Sequence, residues 1–500
     1  MTATRRAKRR RDRGGLAMIR RLAFIIGGVV AGSGVAMLPA AIVAMLYGEG
    51  DVAVAIAASG AIAIASGAVG WRVMGKAGVL TTKEGFGAVG LSWFVMSAFG
   101  TLPYLLSGAI PGLTNAFFET ASGFTTTGAS ILPEPHLLPH GILFWRSTTQ
   151  WIGGMGIIVL SIAVLPLLGV GGVQLARAES PGPTPDRLTP RFQETAKRLW
   201  ILYVGLTALE AFLLTMGDMD LFQAVNHAFT TMSTGGFGTE HTSITGFSPY
   251  TQWVITGFMF LAGASFALHF RALRKPAEYL RNAEFKLYAF IVVVAVVIVA
   301  GGLIEPGVDI SNAVRDAAFT TVSIVTTTGY ATADFGSWRP ALQIFVVGLM
   351  FLGGMAGSTA GGVKTFRVGI LSKAAAADLR RLVHPRGVFI TRFGKDRVRD
   401  EIVESVQSFF LFYMFLFMTG TFLLSFLDAN ASERLDLITT ASAVAASLGN
   451  IGPGLGDVGP AGHYAGIPGT GKWLLSGLMI VGRLEIFPVL LLFTRDLWRR

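Results

Sequence analysis

Four times along this chain, small hydroxyl residues and glycine gather in a tight cluster between apolar stretches. The clusters read TTTGA at residues 125–129, MSTGGFG at 232–238, TTTGYAT at 326–332 and SLGNIGPG at 447–454. A Gly-containing turn can aim successive backbone carbonyls at one axis. Such carbonyls can replace the water shell of a potassium ion. The candidate ligands are Thr126, Thr127, Gly128 and Ala129 in the first cluster, and Ser233, Thr234, Gly235 and Gly236 in the second. The third supplies Thr327, Thr328, Gly329 and Tyr330, and the fourth Ser447, Leu448, Gly449 and Asn450. Any one of these turns is equally well a glycine cap between helices. The spacing, roughly a hundred residues each time, reads instead as one unit repeated four times. Four turns in one chain can form a ring without a tetramer.

The turns need elements to hold them. Each follows a short helical stretch, at 114–124, 221–232, 311–324 and 432–446. These are too short or too polar to span a bilayer, but long enough to enter halfway. A half-helix directs its negative C-terminal dipole end at the membrane interior, where a cation is then favoured. A long apolar stretch follows each turn. Non-helical backbone at this depth is tolerated where it is buried or lines water.

The composition agrees with a membrane setting. Of 500 residues, 52% are hydrophobic and 14% charged, against about 25% charged in soluble proteins. Ten apolar runs approach the length of a bilayer crossing: 22–46, 52–69, 93–113, 157–173, 199–216, 253–270, 287–303, 342–360, 409–426 and 473–493. The fold class expected is an all-α polytopic membrane protein. It comprises a basic cytoplasmic tail at 1–15, expected to be disordered, and two N-terminal transmembrane helices at 16–84. Four repeats follow at 85–175, 195–275, 283–372 and 403–496, each read as helix, short helix, turn and helix in a pseudo-fourfold arrangement.

The net charge of +11 does not point to nucleic acid. Basic residues concentrate at 5–21, 271–286, 364–399 and 495–500, while 111–144 and 217–250 hold only Arg-free and Lys-free sequence. This asymmetry places both termini and the basic loops in the cytoplasm and the turns near the opposite face. Arg315, Arg339 and Arg434 weaken the pattern without reversing it. The first apolar run exceeds a signal peptide's core and is read as a retained helix. The arginines before it suit anionic membrane lipid. There are no cysteines, which excludes disulfides and thiolate metal sites.

Several other features carry less. GIPGTGK at 466–472 resembles a phosphate loop, but Trp473 stands where Ser or Thr is needed. Lys472 and Trp473 read better as an interfacial anchor. The seven histidines are scattered. His227 and His269 are read as packed or hydrogen-bonded. Glu210 lies in an apolar run, as a proton site or a structural polar contact. No clustered nucleophile and base suggests an enzyme, and no cofactor is expected. A secondary transporter of another cation or solute is the alternative. It calls for inverted repeats, whereas these repeats share one orientation.

Four longer stretches carry a resemblance to a known family. They are FWRSTTQWIGGMGIIVL at 144–160, GFMFLAGASFALHF at 257–270, FLGGMAGSTAGGVKTFR at 351–367, and SLGNIGPG with GRLEIFPVLLLF at 482–493. Together they resemble the Trk/Ktr/HKT superfamily of potassium transporters, in particular its TrkH-type membrane subunit. The resemblance covers residues 20–496 and implies potassium-selective uptake across the bacterial inner membrane. It implies one key filter glycine per repeat: Gly128, Gly235 or Gly236 (Gly236 in the preferred register), Gly329 and Gly449. It further implies an intramembrane gating loop built from Gly353, Gly354, Ala356, Gly357, Ser358, Thr359, Ala360, Gly361, Gly362 and Lys364. Arg483 would stand near that loop as an electrostatic barrier, with Glu485 its candidate partner. Such a run of Gly, Ala, Ser and Thr as this loop holds is itself expected to unwind or hinge inside a spanning helix, with a small-residue helix contact as the plainer alternative. A homodimer and a TrkA-like cytoplasmic nucleotide-binding ring are the partners implied.

Overall fold

The structure is a computed structural model that describes residues 2–74, 82–163, 189–307, 309–427 and 435–494. It is mainly helical. The chain opens with α1 (Thr2–Ala36), α2 (Leu38–Leu46) and α3 (Gly50–Met74). Then come α4 (Thr82–Gly100), α5 (Leu102–Leu106), α6 (Leu113–Phe124) and α7 (His140–Ala163). The next group is α8 (Thr189–Thr215), α9 (Leu221–Met232), α10 (Pro249–Ala262), α11 (Phe266–Ala272) and α12 (Ala277–Arg281). It is followed by α13 (Ala283–Leu303), α14 (Ile310–Val325), α15 (Pro340–Met350) and α16 (Thr365–Val383). The last are α17 (Asp400–Leu427), α18 (Leu437–Gly449), α19 (Gly469–Arg483) and α20 (Phe487–Leu492). Two residue-long pairs of strands interrupt this order. Leu352–Gly353 runs parallel to Val363–Lys364, and Arg392–Phe393 runs antiparallel to Asp396–Arg397.

The residues explain where helices start. Proline occupies the first turn of α2, α5, α10, α15 and α20, where its missing N–H costs nothing. Asp220, Asp309 and Asp436 cap α9, α14 and α18 by accepting from the backbone N–H groups of Gln223, Ser311 and Thr439. Helices α1 and α3 approach closely through glycine. A Cβ on Gly67 would lie 2.4 Å from Gly27 O, and one on Gly34 would lie 2.7 Å from Gly60 O. This is the small-residue packing that lets membrane helices touch backbone to backbone.

Among the described residues, six helical spans are long and apolar enough to cross a membrane, or seven if the bent pair α10–α11 counts as one. Their apolar side chains are largely uncovered. Phe415, Phe422 and Phe426 of α17 are all exposed, as lipid-facing residues should be. The chain is a multi-pass membrane protein.

Several expectations need correction. About ten spanning helices were expected, and three of the apolar runs after the turns are broken, of which only the 342–360 run was expected to unwind. The 253–270 run bends by 101° between α10 and α11. The 342–360 run leaves helix after Met350, and the 473–493 run breaks between α19 and α20. Each break falls in glycine-rich or strained backbone. Glu485 and Ile486 both have positive φ, at 57° and 66°. The second half of the 157–173 run lies outside the described residues. The run at 93–113 takes in the end of α4, which already starts at Thr82, then α5 and the non-helical stretch before α6. The tail expected to be disordered is helical from Thr2. The fourth short helix starts at Leu437, after a stretch outside the described residues.

Candidate functional site

The four short helices end in one shared backbone pattern. Past the end of α6, the N–H of Thr126 bonds to Gly123 O and that of Thr127 to Ser122 O. Thr234 to Thr231 and Gly235 to Thr230 repeat it after α9, and Thr327 to Ile324 and Thr328 to Ser323 after α14. Asn450 to Ser447 and Ile451 to Ala446 repeat it after α18. Thr126, Thr234, Thr327 and Asn450 are all left-handed, with φ of 50°, 53°, 58° and 55°. Two residues later comes a glycine of positive φ each time: Gly128 at 82°, Gly236 at 73°, Gly329 at 82° and Gly452 at 105°. Only glycine takes such values without strain.

This pattern sets the register of the fourth turn. Gly449 is the last helical residue there, and Ser447 and Leu448 lie inside α18. The residue matching Gly128, Gly236 and Gly329 is Gly452. The expectation of Gly449 came from carrying the family's filter glycine onto SLGN. The bond pattern shifts it by three residues, with Asn450 filling the left-handed position that threonine fills elsewhere. Asn tolerates that conformation well.

The four turns close on one another. A Cβ on Gly128 would lie 2.2 Å from Gly235 O, and one on Gly236 would lie 1.9 Å from Thr328 O. A Cβ on Gly329 would lie 1.8 Å from Ile451 O, and one on Gly452 would lie 2.8 Å from Thr127 O. The cycle runs first to second to third to fourth and back to first. Any side chain at these glycines would push on the neighbouring turn's carbonyl.

Hydroxyls brace individual turns. Thr125 Oγ1 lies 2.7 Å from Thr127 Oγ1, and Thr326 Oγ1 lies 2.8 Å from Thr328 Oγ1. Tyr330, at the end of the third turn, is buried against Thr230 of α9, and its carbonyl accepts from Ser323 Oγ at 2.6 Å. The carbonyl of Gly452 accepts from Tyr464 OH at 2.7 Å. Ala129 is buried beside the first turn.

The glycine-rich segment at 353–362 is a loop, not a helix, as its residue types led one to expect. It joins the two parallel strand residues on each side. Gly357 and Gly362 have φ of 76° and 63°. The loop reaches the turns. Gly361 N donates to Thr327 Oγ1 at 2.6 Å, and Thr359 Oγ1 donates to Met232 O at 3.1 Å and Ala262 O at 3.2 Å. A Cβ on Gly361 would lie 2.4 Å from Gly449 O, and one on Gly353 would lie 2.2 Å from Gly361 O. Met355 N donates to Gly263 O at 2.8 Å, and Phe266 N donates to Gly357 O at 3.1 Å. Gly354 packs against Gly263 O, Ser358 Oγ donates to Met355 O, and Lys364 Nζ donates back to Ala360 O. Ala356 N donates to Glu284 Oε1 at 2.7 Å.

Arg483 is buried and grips the loop. Its Nη1 donates to Thr359 O at 2.6 Å and its Nη2 to Gly153 O at 3.4 Å. Its expected partner, Glu485, is instead bonded to Arg367 at 2.5 Å. Residues two apart on a helix do not face each other, and the break after Arg483 turns Glu485 the other way. The sequence reading missed Gly452, Arg367 and Glu284. It also missed Glu119, Arg146 and Gln150, which lie against the first two turns. Arg367 stood in plain view in GGVKTFR, as a second charge beside Lys364.

The decoys resolve structurally. Lys472 Nζ donates to Asn115 Oδ1 and Ala465 O, both at 2.9 Å, and Trp473 Nε1 donates to Thr114 Oγ1 at 3.2 Å. His227 and His269 are buried, and the two ring nitrogens of His269 meet Tyr279 OH and Leu261 O. Glu210 is fully buried in α8. Among the described residues, no group of three or more His, Asp or Glu is gathered as a metal site.

Apolar crossings packed around a closed cycle of backbone turns are the build of a membrane transport protein. The chain belongs to the TrkH family: the family described as "Cation transport protein" matches residues 53–299 and 279–499. It is 40% identical over 480 residues to the Trk system potassium uptake protein TrkH of Escherichia coli K12, covering 94% of this chain and 97% of that protein. It is 37% identical over 489 residues to the protein of the same name from Halomonas elongata, covering 96% and 100%. The crystal structure of the potassium transporter TrkH from Vibrio parahaemolyticus matches with a TM-score of 0.88 and 36% identity, over 96% of this chain and 100% of that one.

Proposed function

We propose that this protein carries potassium into the bacterial cell through a filter made of its four turns. The observation that carries the reading is the closed cycle of Gly128, Gly236, Gly329 and Gly452, each against the next turn's carbonyl. The relatives' names, potassium uptake proteins of the Trk system, supply the ion. In this reading the four helix–short helix–turn–helix repeats surround one pore, with α1 to α3 outside it. The loop at 353–362 is the gate beneath the filter, and Arg483 holds it shut while opposing a cation in its path. The protein is a homodimer with one pore per subunit, in the inner membrane, with both termini cytoplasmic. A nucleotide-binding ring docks on the exposed basic cytoplasmic surface that includes Arg380, Arg386, Arg392, Lys395 and Arg399.

The test is flux in proteoliposomes containing the purified protein, with potassium, sodium and rubidium compared under matched gradients. Potassium flux well above sodium flux supports the reading; equal flux of the two ions overturns it. Repeating the assay with and without a proton gradient separates passive from coupled movement.

A further inference from the structure

The second turn differs from the others in having two consecutive glycines, and the cause lies on a neighbouring helix. Gly236 is explained by its positive φ and by Thr328 O beside it. Gly235 occupies the position held by Thr127, Thr328 and Ile451 in the other turns, so its lack of a side chain needs another reason. A Cβ there would lie 2.4 Å from both Cδ and Oε1 of Gln150. Gln150, on α7, is fully buried. Its Nε2 donates to Gly235 O at 2.8 Å, and its Oε1 accepts from Phe237 N at 3.1 Å. One amide thus brackets Gly236 from both sides. Gly235 O is the same carbonyl that abuts Gly128. Among the described residues, the equivalent carbonyls of Thr127, Thr328 and Ile451 receive no side-chain hydrogen bond.

Arg146, one helical turn before Gln150 and therefore on the same face of α7, extends the brace. Its guanidinium lies 3.6 Å over the Phe237 ring and its Nη1 donates to Gly238 O at 2.9 Å. Its Nε is bonded to Glu119 Oε1 at 2.7 Å. Glu119 also accepts from Ser130 Oγ at 2.9 Å and Ile131 N at 3.0 Å, just past the first turn. Arg146 and Glu119 are both buried. The first and second turns are therefore fastened to each other through α7.

We propose that Gln150 is a positioning residue for ion selectivity, fixing the backbone of Gly235, Gly236 and Phe237 so that the second turn keeps the geometry of the ring. This rests on the reading of the turns as a potassium filter. Gly235 is then glycine because the brace occupies its side-chain space, and the doubled glycine marks a junction held from outside by an amide.

The experiment is the potassium-over-sodium flux ratio of reconstituted wild type, Gln150→Glu and Gln150→Leu. Glu keeps the size and the acceptor for Phe237 N–H, but as a carboxylate cannot donate to Gly235 O. Leu keeps neither bond. The ratio is expected to fall on the order of fivefold for each lost bond, the factor one net hydrogen bond is worth, and further for Leu than for Glu. A merely structural role would lower potassium and sodium flux in proportion and leave the ratio at its wild-type value; that outcome overturns the proposal. If Gln150→Leu fails to fold, the ratio of Gln150→Glu alone decides it. A wild type without potassium preference would sink the filter reading itself, and is seen in the same assay before any variant is compared.

Discussion

Arg367 and Glu485 form an ion pair at 2.5 Å between positions 118 residues apart. Both are buried, and the guanidinium also lies 3.8 Å over the Phe409 ring. The pair joins α16, which leaves the glycine-rich loop, to the strained break between α19 and α20. A neutral partner would leave one charge buried alone, which costs about 3–5 kcal/mol. Glu485→Gln and Arg367→Met are each expected to lower the melting temperature in detergent. The double variant Arg367→Met with Glu485→Gln is expected to lose less than the sum of the singles. Additive losses would show that the two groups do not act as a pair.

Gly128→Ser is expected to relax potassium over sodium discrimination. The new Cβ falls 2.2 Å from Gly235 O, so that carbonyl must move, and φ of 82° strains any side chain. Unaltered ion ratios in a well-folded variant would show that this turn does not select.

The register of the fourth turn gives a paired comparison. Gly452→Ala meets Thr127 O at 2.8 Å with φ of 105°. Gly449→Ala is helical, with no positive φ, and meets Ile451 Cδ1, the end of a side chain that can move, at 3.0 Å and Met350 O at 3.2 Å. Selectivity is expected to suffer more from Gly452→Ala, read as potassium-over-sodium flux. The opposite ranking would return the filter position to Gly449.

Opening of the gate is expected when its anchors are removed. Arg483→Ala deletes the bond to Thr359 O and a positive charge. Deleting residues 356–359 shortens the loop. Both are expected to raise basal potassium flux in liposomes several-fold. Flux and its regulation left untouched by both would misplace the gate.

The partner is testable by co-purification. The basic cytoplasmic surface is expected to draw a soluble nucleotide-binding subunit of the same cell, more tightly at low ionic strength, because screening weakens such attraction. Size analysis of the purified complex reads the dimer at the same time. No complex at low salt, with flux indifferent to that subunit and nucleotide, would end the regulatory claim and leave the filter standing.

Much of this was readable from residues. The three turns containing Thr–Gly or Ser–Thr–Gly were visible because Thr, Ser and Gly report local backbone needs. The end of α9 at Met232 was read to the residue, since its capping Asp220 and following glycines bound it. The fourth turn was misread because its left-handed residue is Asn450, so composition no longer tracked conformation. The 253–270 run was misread as continuous because hydropathy does not register a 101° bend at Gly263–Ala264–Ser265. Arg367 with Glu485, and Gln150 with Gly235, are contacts across long separations. Neither local periodicity nor a motif encodes which of several buried polar groups will meet.

The four turns of the ring are not chemically alike: a glutamine holds the second, while in the fourth asparagine replaces threonine and a tyrosine hydroxyl reaches the glycine carbonyl. In an assembly of identical subunits a coding change is copied into every quadrant at once. Here it enters one quadrant only, leaving three sides as they were. On the proposed filter reading, selection can therefore adjust ion preference in quarter steps, with each side of the ring inherited and tuned separately.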